Sequence, residues 1–267
     1  MVITFDRHPR QVVQPNWHPL LLSTLEEKEQ LLAQTGIDML VVLPFDEQMA
    51  ALSAFAFMHQ VLKAQLGVDL LLTGYDNHFG HRENGIAEGF DDYVRYGQEL
   101  GIEVESLPPA PSKGRGRKIS SSYIRQLLGE GNVREASQCL GRYYELQGVV
   151  EHGEQQGRKM GFPTANLALQ RTDCVVPRHG LYAVQVKTGG RVWKGMTNIG
   201  MRPTFNGHRQ TIETHVLDFS GDLYGQPFHI AFVERLRDEQ RFDSPDELAR
   251  QMAIDAERCR RVMSEEL

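Results

Sequence analysis

Fifteen residues, His152 to Asn166 (HGEQQGRKMGFPTAN), concentrate residue types that do chemistry on phosphates. Gly153, Gly157 and Gly161 recur every fourth residue. That spacing is wrong for a helix interior but lets a loop bring its backbone N–H groups close to anionic oxygens. Arg158 and Lys159 add positive charge to the same loop. Pro163 fixes its own φ and biases Phe162 towards extended backbone, so Thr164 and Asn166, two apart on an extended segment, point the same way. A hydroxyl and an amide carbonyl are hard oxygen ligands. They suit Mg²⁺ that keeps most of its waters and bridges to nucleotide phosphates, as phosphoryl transfer requires. No Gly-Lys is followed by Ser or Thr here, so this is not a Walker A loop. The same residues also suit a Gly-rich hairpin loop with a strand after it.

A second place for an anion is ISSSYIR, residues Ile119 to Arg125. Ser121 or Ser122 is expected to cap a short helix that Gly129 ends, and a phosphate at that helix start would have Arg125 beside it; plain capping explains the same serines.

The elements that must position these residues fall into two kinds. With 267 residues and 40% hydrophobic content the chain can bury a sizeable core, and its length favours two domains. Residues 1 to 140 alternate short apolar runs with helical patterns, the rhythm of βαβ units and a parallel sheet. Val2 to Phe5, Met39 to Leu43 and Val68 to Thr73 read as strands. Thr24 with Glu27 forms a capping box for a helix ending at Gly36, and Ser53 caps another whose stripe is Phe57, Val61, Leu62 and Leu66. Phe90 to Leu100 and Ile102 to Leu107 repeat the pattern. Pro108 to Lys118 reads as an exposed loop, basic from Lys113 to Lys118. Asn132 to Leu140 is a further helix, closed by Gly141.

From 141 to 267 the texture is antiparallel β: short alternating runs separated by turns. LYAVQVK and RVWKGMTNI flank Thr188-Gly189-Gly190, where Gly-Gly supplies the positive φ of a tight hairpin. Ile212 to Leu217 and Phe228 to Arg235 are further strands, and the set suggests a small barrel or sandwich. Ser244, Pro245 and Glu247 open a terminal helix lined by Leu248, Met252, Cys259 and Val262, expected to pack on the β domain.

Net charge is −6, which argues against a general nucleic-acid or anionic-membrane binder. The cysteines, Cys139, Cys174 and Cys259, form no CxxC, and a reduced cytoplasmic setting fits them best. The opening MVITFDRHPR lacks the apolar core of a signal peptide, and no apolar run approaches a membrane span.

HGEQQGRKMGFPTAN resembles the GxxxGxxxGxPTAN signature of riboflavin kinases. NIGMRPTF (Asn198 to Phe205), TIETHVLDF (Thr211 to Phe219) and GDLYG (Gly221 to Gly225) match further landmarks of that family in order. Upstream, TFDRHPR, LLTGYDNHFG and ISSSYIR resemble the adenylyltransferase half of bacterial bifunctional riboflavin kinase/FAD synthetases. The resemblance implies an N-terminal Rossmann-like nucleotidyltransferase domain, incomplete here, and a six-stranded antiparallel kinase barrel with a C-terminal helix. It implies ATP, riboflavin and FMN as ligands, and transfer of the γ-phosphate of ATP to the ribityl hydroxyl. Glu213 falls where the family has its proposed base for that hydroxyl, on the opposite face of its strand from Ile212 and Thr214; a lone strand glutamate is otherwise a solvated face residue. His215, on the same face, would orient Glu213 or be a surface histidine. Asn198 and Thr204 fall in a segment resembling a loop that closes over nucleotide, with turn chemistry around Pro203 as their plainer role. The runner-up is a full bifunctional FAD synthetase whose N-terminus is missing from this sequence; a third reading, of a different class, is a non-catalytic flavin or nucleotide binder, but binding alone needs no base.

The adenylyltransferase signature GxFDGxHxGH, whose histidines stabilise the transferring phosphate, is not found among these residues. His78-Phe79-Gly80-His81 spells HxGH but lacks that context: it follows a strand, and no helix-start pattern comes after it. A parallel sheet short of a strand would also expose apolar edges and leave the N-terminal domain poorly stable. The 267-residue chain, given FMN, ATP and Mg²⁺, is therefore expected to release neither FAD nor pyrophosphate at a useful rate. Turnover comparable to its kinase rate, abolished by His78→Ala or His81→Ala, would show the HFGH stretch to be catalytic.

Overall fold

The computed structural model describes residues 1–14, 16–17, 20–81, 88–109, 118–153, 157, 161–171, 173–204 and 207–265, with backbone alone at 202–204, 207–209 and 265. The chain divides into two compact units, Met1–Pro19 with Ser23–Lys118, and Leu20–Leu22 with Ile119–Leu267.

In the first unit β1 (Val2–Phe5) pairs parallel with β2 (Leu40–Leu43), and β3 (Leu70–Gly74) pairs parallel with β4 (Glu103–Leu107). The βαβ rhythm is present, but as two separate two-stranded pairs instead of one sheet. α1 (Pro9–Val13) and α2 (Leu25–Ala33) connect β1 to β2 and α3 (Glu47–Ala51) follows β2, with the Thr24–Glu27 capping box formed as the sequence predicts. Ser53 caps α4 (Ala54–Ala56), which continues as a π-helical stretch, Phe57–Gln65. The wider π turn rotates the apolar stripe, so Met58, Val61 and Leu62 are buried while Phe57 and Leu66 are only partly covered. With Tyr93 on α5 (Phe90–Leu100) and Ile102 they form this unit's core, on which Ile3 of β1 and Leu71 of β3 also pack.

Of the HFGH stretch only Phe79 packs on that core, and His78 and His81 are exposed. Phe79 stacks on Tyr93 at 4.2 Å between ring centroids, and its N–H donates to the Tyr93 hydroxyl. Gly80, at φ +91°, lies so close to Ala54 that a Cβ would overlap the helix start. His78 bonds through Nδ1 to the Glu88 carbonyl. The basic segment 110–117 lies outside the described residues.

The second unit is a closed antiparallel barrel of β5 (Tyr144–Glu151), β6 (Ala165–Leu169), β7 (Gly180–Thr188), β8 (Arg191–Thr204), β9 (Gly207–Val216) and β10 (Pro227–Arg237), in the order β10-β5-β6-β9-β8-β7. Gly189 and Gly190 take φ of +55° and +72° in the β7–β8 turn, the two positive values a tight hairpin requires. Inward residues such as Leu146, Leu167, Val184, Ile199, Ile212 and Phe232 fill the interior, and α6 (Ser121–Glu130) and α7 (Val133–Leu140) add Leu127, Leu128 and Val133 to the same core. A second apolar layer lies on the barrel's outer surface. There α8 (Pro245–Glu265) lays Ala256, Cys259 and Met263 over Leu181, Met196 and Val233.

Two expectations change. NIGMRPTF is not a loop up to Thr204: Asn198 to Thr204 continue β8 in register with β9. The cap of α6 is Ser120, which accepts from the Tyr123 N–H, so Ser121 and Ser122 are its first two helical residues. The compact units part at Lys118/Ile119, with α6 and α7 packed on the barrel core.

Two-stranded sheets are marginal on their own, whereas a closed barrel has no free edge. In the first unit Leu70, Leu72 and Leu107 stand 46, 50 and 48% exposed. The first unit is therefore expected to open before the second. Hydrogen exchange should show the amides of β3 and β4 losing protection at lower urea than those of β7, and equal protection would contradict this ordering.

Candidate active site

The closed barrel gives β9 an inside and an outside. Ile212, Thr214 and Val216 are buried in the interior, so Glu213 and His215 face out. Register sets Asn166 of β6 and Asn198 of β8 on either side of Glu213. Cross-strand neighbours on one face lie about 4.5–5.5 Å apart at Cβ, so the carboxylate is flanked by two amides. One row in, Thr214 pairs with Thr197, and their hydroxyls share a buried hydrogen bond of 2.8 Å.

Two cavities lie on the two sides of this wall. The first, of about 540 Å³, opens at the barrel mouth over the inward residues Val150, Ala165 and Thr214. Phe219 and Tyr224 form its outer side. The GDLYG turn that carries Tyr224 is tied down by the Gly225 N–H to Val150 O at 2.9 Å and by a stack of Tyr224 on His152 at 3.8 Å. The second, of about 250 Å³, lies outside the barrel. Asn198, Glu213 and His215 face Phe242, Leu248 and Met252 across it. Thr164 lines both cavities.

The described part of the Gly-rich stretch explains its glycines. A Cβ at Gly153 would overlap the Asn166 amide, and one at Gly157 would overlap the Phe162 carbonyl and touch Thr164 Cγ2. Gly161 takes φ +82°. The glycines thus let the stretch close directly onto Thr164 and Asn166. Its exit is anchored by His215, whose Nδ1 lies 2.8 Å from Pro163 O. A carbonyl only accepts, so Nδ1 carries the proton. His215 therefore holds the turn before Thr164 by that nitrogen, and Phe162 packs edge-on against its ring at 5.3 Å. Arg158 and Lys159 lie outside the described residues, as does the side chain of Thr204.

The α6 serines are not brought to either cavity. Arg125 donates from Nε to Leu20 O at 2.6 Å, which holds the short Leu20–Leu22 segment beside Cys174. Sequence reading gave GDLYG as a family landmark without a role for its tyrosine, and so missed Tyr224 as a cavity wall. It also missed Arg237, Glu239 and Phe242, since LRDEQRF has no periodicity that marks a site. Among the described residues no group of three or more His, Cys, Asp or Glu could hold a metal.

The closed barrel thus carries one cavity at its mouth and another on its outer wall, with Thr164 in both and Glu213 in the outer one. Comparison with known proteins narrows this. The riboflavin kinase family model matches residues 140–263 and the FAD synthetase model residues 1–123. The bifunctional riboflavin kinase/FMN adenylyltransferase of Escherichia coli K12 is 38% identical over 96% of this chain and 80% of its own length. That of Bacillus subtilis 168 is 35% identical over 98% and 82%. A crystal structure described as a macrolide-efflux protein from Streptococcus pneumoniae superposes with a TM-score of 0.86 at 33% identity, over 97% of this chain and 82% of that one. Among the described residues here, no helix is long and apolar enough to cross a membrane. The chain belongs to the bifunctional riboflavin kinase/FMN adenylyltransferase family. The two family models leave 124–139 between them, the stretch of α6 and α7 that packs with the barrel.

Proposed function

We propose that the second unit transfers the γ-phosphate of ATP to the ribityl 5′-hydroxyl of riboflavin, giving FMN. The observation that carries this is Thr164, the one described residue common to a cavity at the barrel mouth and a cavity beside Glu213. Phosphoryl transfer is mostly positioning and electrostatics, so the donor and acceptor sites must share a boundary. The mouth cavity, with Phe219 and Tyr224 as its aromatic side, takes the nucleotide. The outer cavity takes the flavin, with Phe242, Leu248 and Met252 against the ring and the ribityl chain leading to Glu213. There the Glu213 carboxylate accepts the hydroxyl proton as the oxygen attacks phosphorus, and Asn166 and Asn198 hold the carboxylate between them. Asn198 is placed here with the acceptor, one row from Thr197 and Thr214.

Thr164 and Asn166 would hold Mg²⁺, and the close seating of Gly153 and Gly157 against these two side chains fits that role. Bound there, Mg²⁺ would offset phosphate charge, with phosphate and water oxygens completing a shell that two protein oxygens leave open. The setting is the cytoplasm, which suits the free cysteines Cys139, Cys174 and Cys259. Adenylylation of FMN by these 267 residues is not proposed, because the histidine signature is not in the sequence and HFGH follows a strand with no helix start after it.

Glu213→Gln keeps the shape of the side chain and removes the base. General-base catalysis is typically worth ~10²–10⁴-fold, so kcat for riboflavin-dependent ADP formation should fall by that factor while Mg-ADP affinity stays at the wild-type value. An unchanged kcat would remove Glu213 from the mechanism.

A further inference from the structure

Arg237 ends β10 and Asp255 lies in the middle of α8, and their side chains are 17 and 4% exposed. Arg237 donates from Nε and Nη2 to Asp255 Oδ2 at 3.0 and 2.7 Å, and Gln251 Nε2 donates to Oδ1 at 3.0 Å. The third arm, Nη1, donates to Asp238 O at 3.0 Å, and the guanidinium carbon stands 5.9 Å from the centre of the Phe242 ring. One side of the guanidinium is thus fixed to the helix and the other to the connection that follows β10. That connection supplies Glu239 and Phe242 to the outer cavity, which Arg237 and Asp255 also line. The Glu239 carboxylate is set against Gly200 and beside the Asn198 amide, so closely that a Cβ at Gly200 would overlap it.

An enclosed ion pair is weak evidence for stability, because desolvating two charges costs about what their attraction returns, and apolar residues of similar volume often replace such a pair without loss. This pair sits where barrel, helix and connection meet around one cavity. We propose that Arg237 and Asp255 are positioning residues for the flavin: they clamp the connection 238–242, and through Glu239 and Phe242 set where the acceptor lies relative to Glu213. The proposal rests on the riboflavin kinase reading above. The clamp does not reach the mouth cavity, so it acts on the flavin and not on the nucleotide.

The test uses the full chain and two variants. Asp255→Asn leaves Arg237 without its counter-charge; Arg237→Met combined with Asp255→Leu replaces the pair by apolar groups that can pack. Riboflavin Kd is read by quenching of flavin fluorescence, KM for riboflavin and for Mg-ATP by turnover, and Tm by thermal melting. Asp255→Asn should lower Tm and weaken riboflavin by about tenfold in both Kd and KM, the equivalent of ~1.4 kcal/mol of contact. In the double variant Tm should recover while riboflavin stays weakened, and KM for Mg-ATP should be unchanged in both. Riboflavin affinity that recovers together with Tm, or Mg-ATP weakened in parallel, would overturn the proposal, since a merely structural pair gives those results. A wild-type chain that binds flavin without turning it over would count against the kinase reading alone, with the clamp still decided by Kd.

Discussion

The two-residue period of β9 is the constraint on which the rest depends. In a closed barrel every strand residue faces either the packed interior or the outside, and neighbours in the chain take opposite sides. Thr214 therefore belongs to the wall of the mouth cavity and Glu213 to the outer one. Two separate cavities, which the proposed reading gives to a nucleotide and its acceptor, follow from one strand without any added domain. A slip of one residue in the β6–β9–β8 register would place Glu213 inside the apolar core and Thr214 outside, so the same hydrogen bonds that close the barrel set the active-site polarity.

Separate sites must still touch at one point. The touching point is Thr164, just ahead of β6, where the chain arrives from the Gly-rich stretch. Gly153 and Gly157 let that stretch come down onto Asn166 and Thr164 without side chains in between, and His215 pins Pro163 from the strand that carries Glu213. The proton on His215 Nδ1 thus serves to keep the loop exit in line with β9. That is a different task from orienting Glu213, though both are consistent with a histidine two residues along the same face.

Much of this was legible in the sequence, for physical reasons that differ by element. The glycine spacing and the Thr164, Asn166 pair were readable because they depend on local backbone conformation. The facing of Glu213 was readable because alternation is a property of any strand. Capping boxes were readable at Thr24, while ISSSYIR offered three serines, and only the start of hydrogen bonding in α6 selects Ser120. What the sequence hid are contacts made by folding. Tyr224 reaches its cavity because the turn is tied to β5, and Arg237 meets Asp255 eighteen positions away on another element. The split of the first unit's strands into two pairs was equally hidden, since a hydrophobic run does not say which neighbour its edge will find.

The central claim is that donor and acceptor chemistry meet at Thr164 and Glu213. The most direct measurement is a double-mutant cycle on kcat with Thr164→Val, Glu213→Gln and the two together. Groups that serve one transition state are strongly non-additive. The account predicts that the double variant loses little more than the worse single variant. Losses that multiply in full would mean that the two residues act in independent steps, and would contradict a shared reaction centre.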